Sequence, residues 1–221
     1  MQSLLFRCSS IGLAFLLVLS LGACGSTALT RTIQAAIPAL GEDVTSVRLD
    51  PKLRYLRVAI RDHVALMVLG YAETHPDGEI EVWYSQEGEV IRLQNGRIVG
   101  TAGLETDWRA VRSPSLPSWR EMAGRTAFSY ERELDEMPGY KFGIAESVSL
   151  RAIPAPVDSK LVGWEPHDLR WFEESVAGQP DSRPAARFGL LTTQGDFRVI
   201  YGEQCLAQNL CLAWQAWPAA R

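Results

Sequence analysis

Between residues 79 and 108 the chain reads EIEVWYSQEGEVIRLQNGRIVGTAGLETDW, and its apolar positions recur with period two. Ile80, Val82 and Tyr84 alternate with Glu81, Trp83 and Ser85. Successive side chains of a strand point to opposite faces, so this spacing predicts a strand with one set inward and one outward. Gln86-Glu87-Gly88 breaks the run, and residues 90–93 resume it. Asn95-Gly96 predicts a two-residue type I′ turn, which needs positive φ at both central positions. Residues 97–102 run back, and Gly100 and Gly103 mark a bulge or bend. The stretch reads as a three-stranded antiparallel meander.

The same pattern runs along much of the chain. Residues 44–50 are a short strand candidate, stopped by Pro51. Residues 53–60 alternate, and residues 64–71 (VALMVLGY) are nearly all apolar, as in a strand buried on both faces; a short buried helix is the alternative. Residues 112–119 carry Pro114 and Pro117 and read as a surface loop, with a proline-rich recognition motif as the alternative. Residues 125–134, 140–153 (bent at Gly143) and 160–176 (broken at Glu165-Pro166) follow. A hairpin of 188–193 and 196–201 turns at Gln194-Gly195, and residues 212–217 close the chain. That makes about ten strands with no convincing interior helix. Helical spacing occurs at 26–39, where Leu29, Ile33, Ala36 and Ile37 share a face before Pro38 and Gly41. The expected fold is mainly β: an antiparallel sandwich or barrel-like sheet in one domain over 44–221.

Residues 1–23 read as an address. Arg7 precedes an apolar run over 11–21 that has the length of a secretory segment and is shorter than a membrane-spanning helix. Leu21-Gly22-Ala23-Cys24 then resembles the lipobox of bacterial lipoproteins. The resemblance implies cleavage before Cys24 and acylation there, against the alternatives of an ordinary signal peptide or an uncleaved anchor. Several acyl chains hold a protein stably on a bilayer, where one holds it marginally. Residues 24–43 would be the tether, with the short helix in it. Gly25 rather than Asp after the cysteine favours the outer membrane.

Composition narrows the function classes. The formal net charge is −4, and Lys and Arg are scattered singly, which speaks against nucleic acid. With Cys8 in the signal and Cys24 lipidated, Cys205 and Cys211 remain, an even pair in an oxidising compartment. A disulfide between them is the expected reading; two free thiols or a metal pair are the alternatives, and the spacing is not that of a zinc knuckle.

No catalytic motif stands out. His63, His75 and His167 sit alone, so no metal or cofactor is expected. Nucleophile-elbow, phosphate-loop and His-Glu-x-x-His patterns are missing from the sequence. Glu79/Glu81, Glu87/Glu89, Asp135/Glu136 and Glu173/Glu174 are acidic pairs, and a glycosidase would need two such carboxylates facing across a cleft. Acids on strands are more often solvated, so the chain reads as no enzyme. Seven tryptophans are the other notable feature. Trp83, Trp108, Trp119 and Trp171 are candidates for a glycan or partner surface, with core packing the preferred reading for each.

Leu66 to Tyr71, Glu81 to Ser85, the Gly88 turn, Arg92 to Gly100, Gly103-Leu104 and Asp107-Trp108, together with the lipobox, resemble the YjbF/GfcB family of capsule and exopolysaccharide lipoproteins. The resemblance is densest from Leu53 to Trp119. It implies an outer-membrane lipoprotein facing the periplasm, anchored in the bilayer through Cys24. It would work beside outer-membrane and periplasmic export proteins in producing or secreting an extracellular polysaccharide. A non-enzymatic docking factor, a glycan-binding module and, third, a polysaccharide hydrolase are the functions to separate.

Overall fold

A computed structural model describes residues 44, 47–114, 116–178 and 183–219. The signal segment, Cys24 and the helix expected over 26–39 lie outside the described residues. Among these residues twelve strands form a single antiparallel sheet: β1 (Tyr55–Ile60), β2 (His63–Glu73), β3 (Ile80–Tyr84), β4 (Val90–Gln94), β5 (Arg97–Ala102), β6 (Asp107–Arg112), β7 (Ala127–Met137), β8 (Lys141–Ile153), β9 (Arg170–Val176), β10 (Ala186–Thr193), β11 (Asp196–Ala207) and β12 (Leu210–Trp217). Their spatial order is β5-β4-β3-β2-β1-β12-β11-β10-β9-β8-β7-β6.

The sheet curls until its edge strands meet, which makes a nearly closed barrel rather than a sandwich. No backbone ladder joins β5 to β6. At one end Thr101 bridges them: its Oγ1 accepts the Trp108 N–H at 3.0 Å and lies 3.0 Å from Asp107 Oδ1. A Cβ on Gly100 would stand 3.6 Å from the carbonyl oxygens of Trp108 and Arg109.

Local chemistry sets the turns. Asn95 (φ 50°) and Gly96 (φ 72°) make the left-handed pair expected between β4 and β5. At Gly96 a Cβ would also strike Val199 at 2.4 Å. Gln194 and Gly195 do the same between β10 and β11. In β2, Leu66, Met67 and Val68 are consecutively buried, so both faces of the apolar run are covered.

Three expectations need correction. No strand forms among the described residues of 44–50. That stretch is pinned by side chains instead: Asp50 N–H donates to Tyr55 Oη at 3.0 Å, and Leu49 packs against Tyr55 and Val68. A sixth strand, β6, runs on through Arg112, where a loop was expected to begin. Finally, the described helix is internal: α1 (Trp119–Ala123) lies in the segment read as a proline loop. Ser118 caps it, accepting the Glu121 N–H, while the Glu121 carboxylate accepts the Ser118 N–H at 2.8 Å.

The main core takes residues from every strand and from α1. It runs from Leu56 and Val58 through Trp83, Ile98, Trp108, Leu134, Phe172 and Phe188 to Trp214, and so fills the barrel. Trp119 and Met122 of α1 reach into it and plug one end. A second cluster, around Trp171, Ile200 and Tyr201, is covered by Leu161 and Trp164 of the β8–β9 connection.

Candidate functional site

The four tryptophans singled out as a surface are core residues. Trp83, Trp108, Trp119 and Trp171 are 3%, 1%, 6% and 2% exposed. A glycan surface made of their faces is therefore not present. Period two locates one face of a strand, and in a barrel both faces can be covered.

Two of them nevertheless border a cavity. The end of the barrel that α1 plugs is formed by the start of β1, the start of β3, the β4–β5 turn, the start of β11 and the end of β12. A cavity of about 450 Å³ opens there. Trp83, Trp119 and Trp214 line it from the core, and half-buried Trp164 and Trp217 line it from the rim. Its polar side chains include Arg54, Glu79, Glu81, Asn95 and Arg198. Arg54 pairs with Glu81, and its guanidinium carbon lies 5.7 Å from the centre of the Trp83 ring. Trp164, Trp214 and Trp217 were not singled out in the sequence. The only signal available was their number, since nothing local marks a rim.

Indole hydrogen bonding divides the buried tryptophans. Trp108 Nε1 donates to Leu206 O at 3.3 Å, Trp119 Nε1 to Asn95 O at 2.7 Å and Trp171 Nε1 to Pro166 O at 2.7 Å. The indole N–H groups of Trp83 and Trp214 are fully buried and have no acceptor among the described residues. Both of these belong to the cavity lining. Trp214 cannot retreat, because it packs on Gly202, where a Cβ would meet the indole at 2.4 Å.

The barrel also encloses charge. Arg97 Nε donates to Glu174 Oε1 at 2.7 Å, and Arg132 Nε donates to Glu146 Oε2 at 2.7 Å. Arg183 pairs with the other oxygen of Glu146. Arg132 and Arg183 both lie over the Trp108 ring. Burial, with Glu174 adding to it, pushes the Tyr130 hydroxyl far above its ordinary range. Where β5 and β6 diverge, a cavity of about 700 Å³ is lined by Arg97, Arg112, Tyr130 and Arg132 among others. Gln204 crosses the barrel to accept the Ile98 N–H of the free β5 edge at 2.7 Å. This gives that edge a partner from inside the protein.

The acidic pairs are largely engaged. Glu81 holds Arg54, Glu89 accepts from Ser85, Glu136 holds Lys141, and Glu173 holds Arg151. Asp135 accepts from Arg112 and from the Gly143 N–H. Glu174 is bound to Arg97. Among the described residues no group of three or more His, Cys, Asp or Glu side chains is placed to hold a metal. At the far end of the barrel, Cys205 and Cys211 are bonded across the β11–β12 hairpin.

Comparison with known proteins places this geometry. Residues 48–207 match the sequence profile of the YjbF family, described as group 4 capsule polysaccharide lipoprotein. The chain is similar in structure to the hypothetical lipoprotein YmcC of Escherichia coli K12, with a TM-score of 0.61 at 16% identity. The match covers 89% of this chain and 100% of that one. At that identity the likeness is one of fold. No curated protein sequence matches the chain.

Proposed function

Since the chain belongs to the YjbF family of group 4 capsule polysaccharide lipoproteins, we propose that it is an accessory factor without catalytic activity in the production or secretion of a capsule or exopolysaccharide. It is held by acyl chains on Cys24 at the periplasmic face of the outer membrane. There it works beside outer-membrane and periplasmic export proteins.

The family match over residues 48–207 carries this reading. Two features support it. The Cys205–Cys211 bond suits an oxidising compartment such as the periplasm. Most of the acids that a hydrolase could recruit are bound to a cation or another donor, as set out above.

The test is deletion of the gene in a producing cell, followed by return of the wild-type chain or the Cys24→Ser variant. Surface polysaccharide is then quantified. The deletion should lower it, the wild-type chain should restore it, and Cys24→Ser should restore little. Unchanged surface polysaccharide in the deletion strain would refute the role. A parallel pull-down of the lipidated protein should recover an outer-membrane protein.

A further inference from the structure

We infer that the tip of the β7–β8 hairpin is the element by which this lipoprotein docks on a partner protein, with Tyr140 and Phe142 entering an apolar pocket that carries a basic rim. That there is a partner rests on the accessory reading above; the place of contact rests on the geometry alone.

Three observations select the tip. First, it projects. The last paired residues of β8 and β9 are Val148 and Val176. Beyond them β8 has seven further residues, 141–147, with β7 alongside. At about 3.3 Å per residue that is an arm of about 23 Å. Strand β7 sets out beside α1 at Ala127 and reaches the tip at Met137, so the arm lies at the end of the barrel opposite the plug.

Second, the tip presents rings that the fold does not use. Tyr140 and Phe142 are 74% and 65% exposed, the most exposed aromatic side chains among the described residues. Neither belongs to a hydrophobic cluster there. Tyr140 also sits in the left-handed region, at φ 54°, beside Gly139 at φ 100°. Glycine or asparagine is the residue that sterics prefer in such a place, and a bulky side chain strains the backbone. Strain of this kind collects at binding positions, where the side chain itself is needed.

Third, the tip is fixed before a partner arrives. Asp135 accepts from the two terminal nitrogens of Arg112 at 3.0 and 2.9 Å, and from the Gly143 N–H at 2.9 Å. Lys141 Nζ donates to Glu136 Oε1 at 2.7 Å. Rings on a braced hairpin lose little freedom on binding, so more of their burial shows as affinity.

Charge and position choose a protein over the bilayer. Residues 133–143 carry three acids, Glu133, Asp135 and Glu136, and one base, Lys141, which is bound to Glu136. Strand β6 beside them adds Asp107, Arg109 and Arg112, the last bound to Glu133 and Asp135. The balance is acidic by one, whereas segments that lie on anionic headgroups are basic. The chain enters the barrel at the other end, through residues 47–54 into β1, so an anchored molecule turns the tip away from its bilayer. Two rings need an apolar pocket, and the acidic collar calls for bases at its rim.

The experiment places p-benzoylphenylalanine at position 140 of the lipidated chain in the producing cell, with exposed position 193 at the plugged end as control. Illumination should give one protein adduct from position 140 and none from 193. Adding Phe142→Ser should cut its yield about tenfold. In the deletion strain the double variant Tyr140→Ser, Phe142→Ser should restore little surface polysaccharide, and Phe142→Trp should restore it. The double variant should melt within about 2 °C of the wild type, because both positions are exposed. Phe142→Ser alone serves if it melts lower.

The absence of an adduct at 140, or an adduct to a second copy of this chain, would overturn the inference. So would stronger quenching of Phe142→Trp than of the wild type when the lipidated chains sit in phosphatidylethanolamine and phosphatidylglycerol vesicles with brominated acyl chains. Full restoration by the double variant would sink the docking tip and leave the accessory role standing. Unchanged polysaccharide in the deletion strain would sink that role, and the adduct would then judge the tip by itself.

Discussion

The guanidinium of Arg97 lies 3.8 Å from the centre of the Trp119 ring while its Nε donates to Glu174. One side chain thus ties the plug helix α1 to the wall strand β9 through the turn-side end of β5. The side chains of Arg97 and Glu174 are 6% and 2% exposed. Removing one member of a buried pair leaves the other uncompensated, which costs about 3–5 kcal/mol. Arg97→Ala and Glu174→Ala should each lose about that much in urea unfolding. The double variant Arg97→Met, Glu174→Leu should lose less than either, because no lone charge remains. Additive losses would show that the two residues do not act as a pair.

The plug also depends on its cap. Ser118→Ala removes the side chain that accepts the Glu121 N–H and should cost about 1 kcal/mol. Trp119→Ala empties core volume and should cost about 3–5 kcal/mol. Equal losses in denaturant midpoint would mean that the helix contributes through its end alone.

Reduction provides a third test. The Cys205–Cys211 bond closes a sequence separation of 6 residues, so the loss of unfolded-state entropy is small, about 2 kcal/mol. Thermal melts with and without reductant should differ by several degrees. Identical melts would mean that the hairpin gains nothing from the bond.

Acid should weaken the fold through named carboxylates. Hydrogen bonds from Arg112 hold the Asp135 carboxyl below its ordinary range, and hydrogen bonds from Arg187 do the same for Asp158. A depressed pKa contributes stability above the unfolded value, and that contribution is lost as pH falls through the folded one. Stability should therefore hold down to about pH 5 and decline below about pH 4. Arg112→Gln should make the decline shallower in denaturation series run across that range. An unchanged slope would remove Asp135 from the account.

How much of this could be read from the chain differs from element to element. The β3–β5 meander and the turns at Asn95-Gly96 and Gln194-Gly195 were legible, because positive φ leaves a mark in residue type. Strand β6 was not. The register shifts between Trp108 and Ala110, and a bulge there breaks the period on which a strand is recognised. Helix α1 has 5 residues, too few to show a helical period, and only the Ser118-x-x-Glu121 cap announced it. The cavity was illegible for another reason. Its tryptophans come from positions 83, 119, 164, 214 and 217, and only closure of the barrel brings them together.

That closure has a temporal side. Strand β1 has β2 on one edge and β12 on the other, with Tyr55 opposite Trp217 and Ile60 opposite Leu212. Among the described strands, the first made therefore waits for the last. Every hairpin between them can form locally, but β1 cannot be joined to its second neighbour until β12 has been made. Pairings this distant are slow because the intervening chain must first be ordered. Until then β1 presents an open edge to whatever is near, and that edge is a site for wrong strand pairing until β12 covers it.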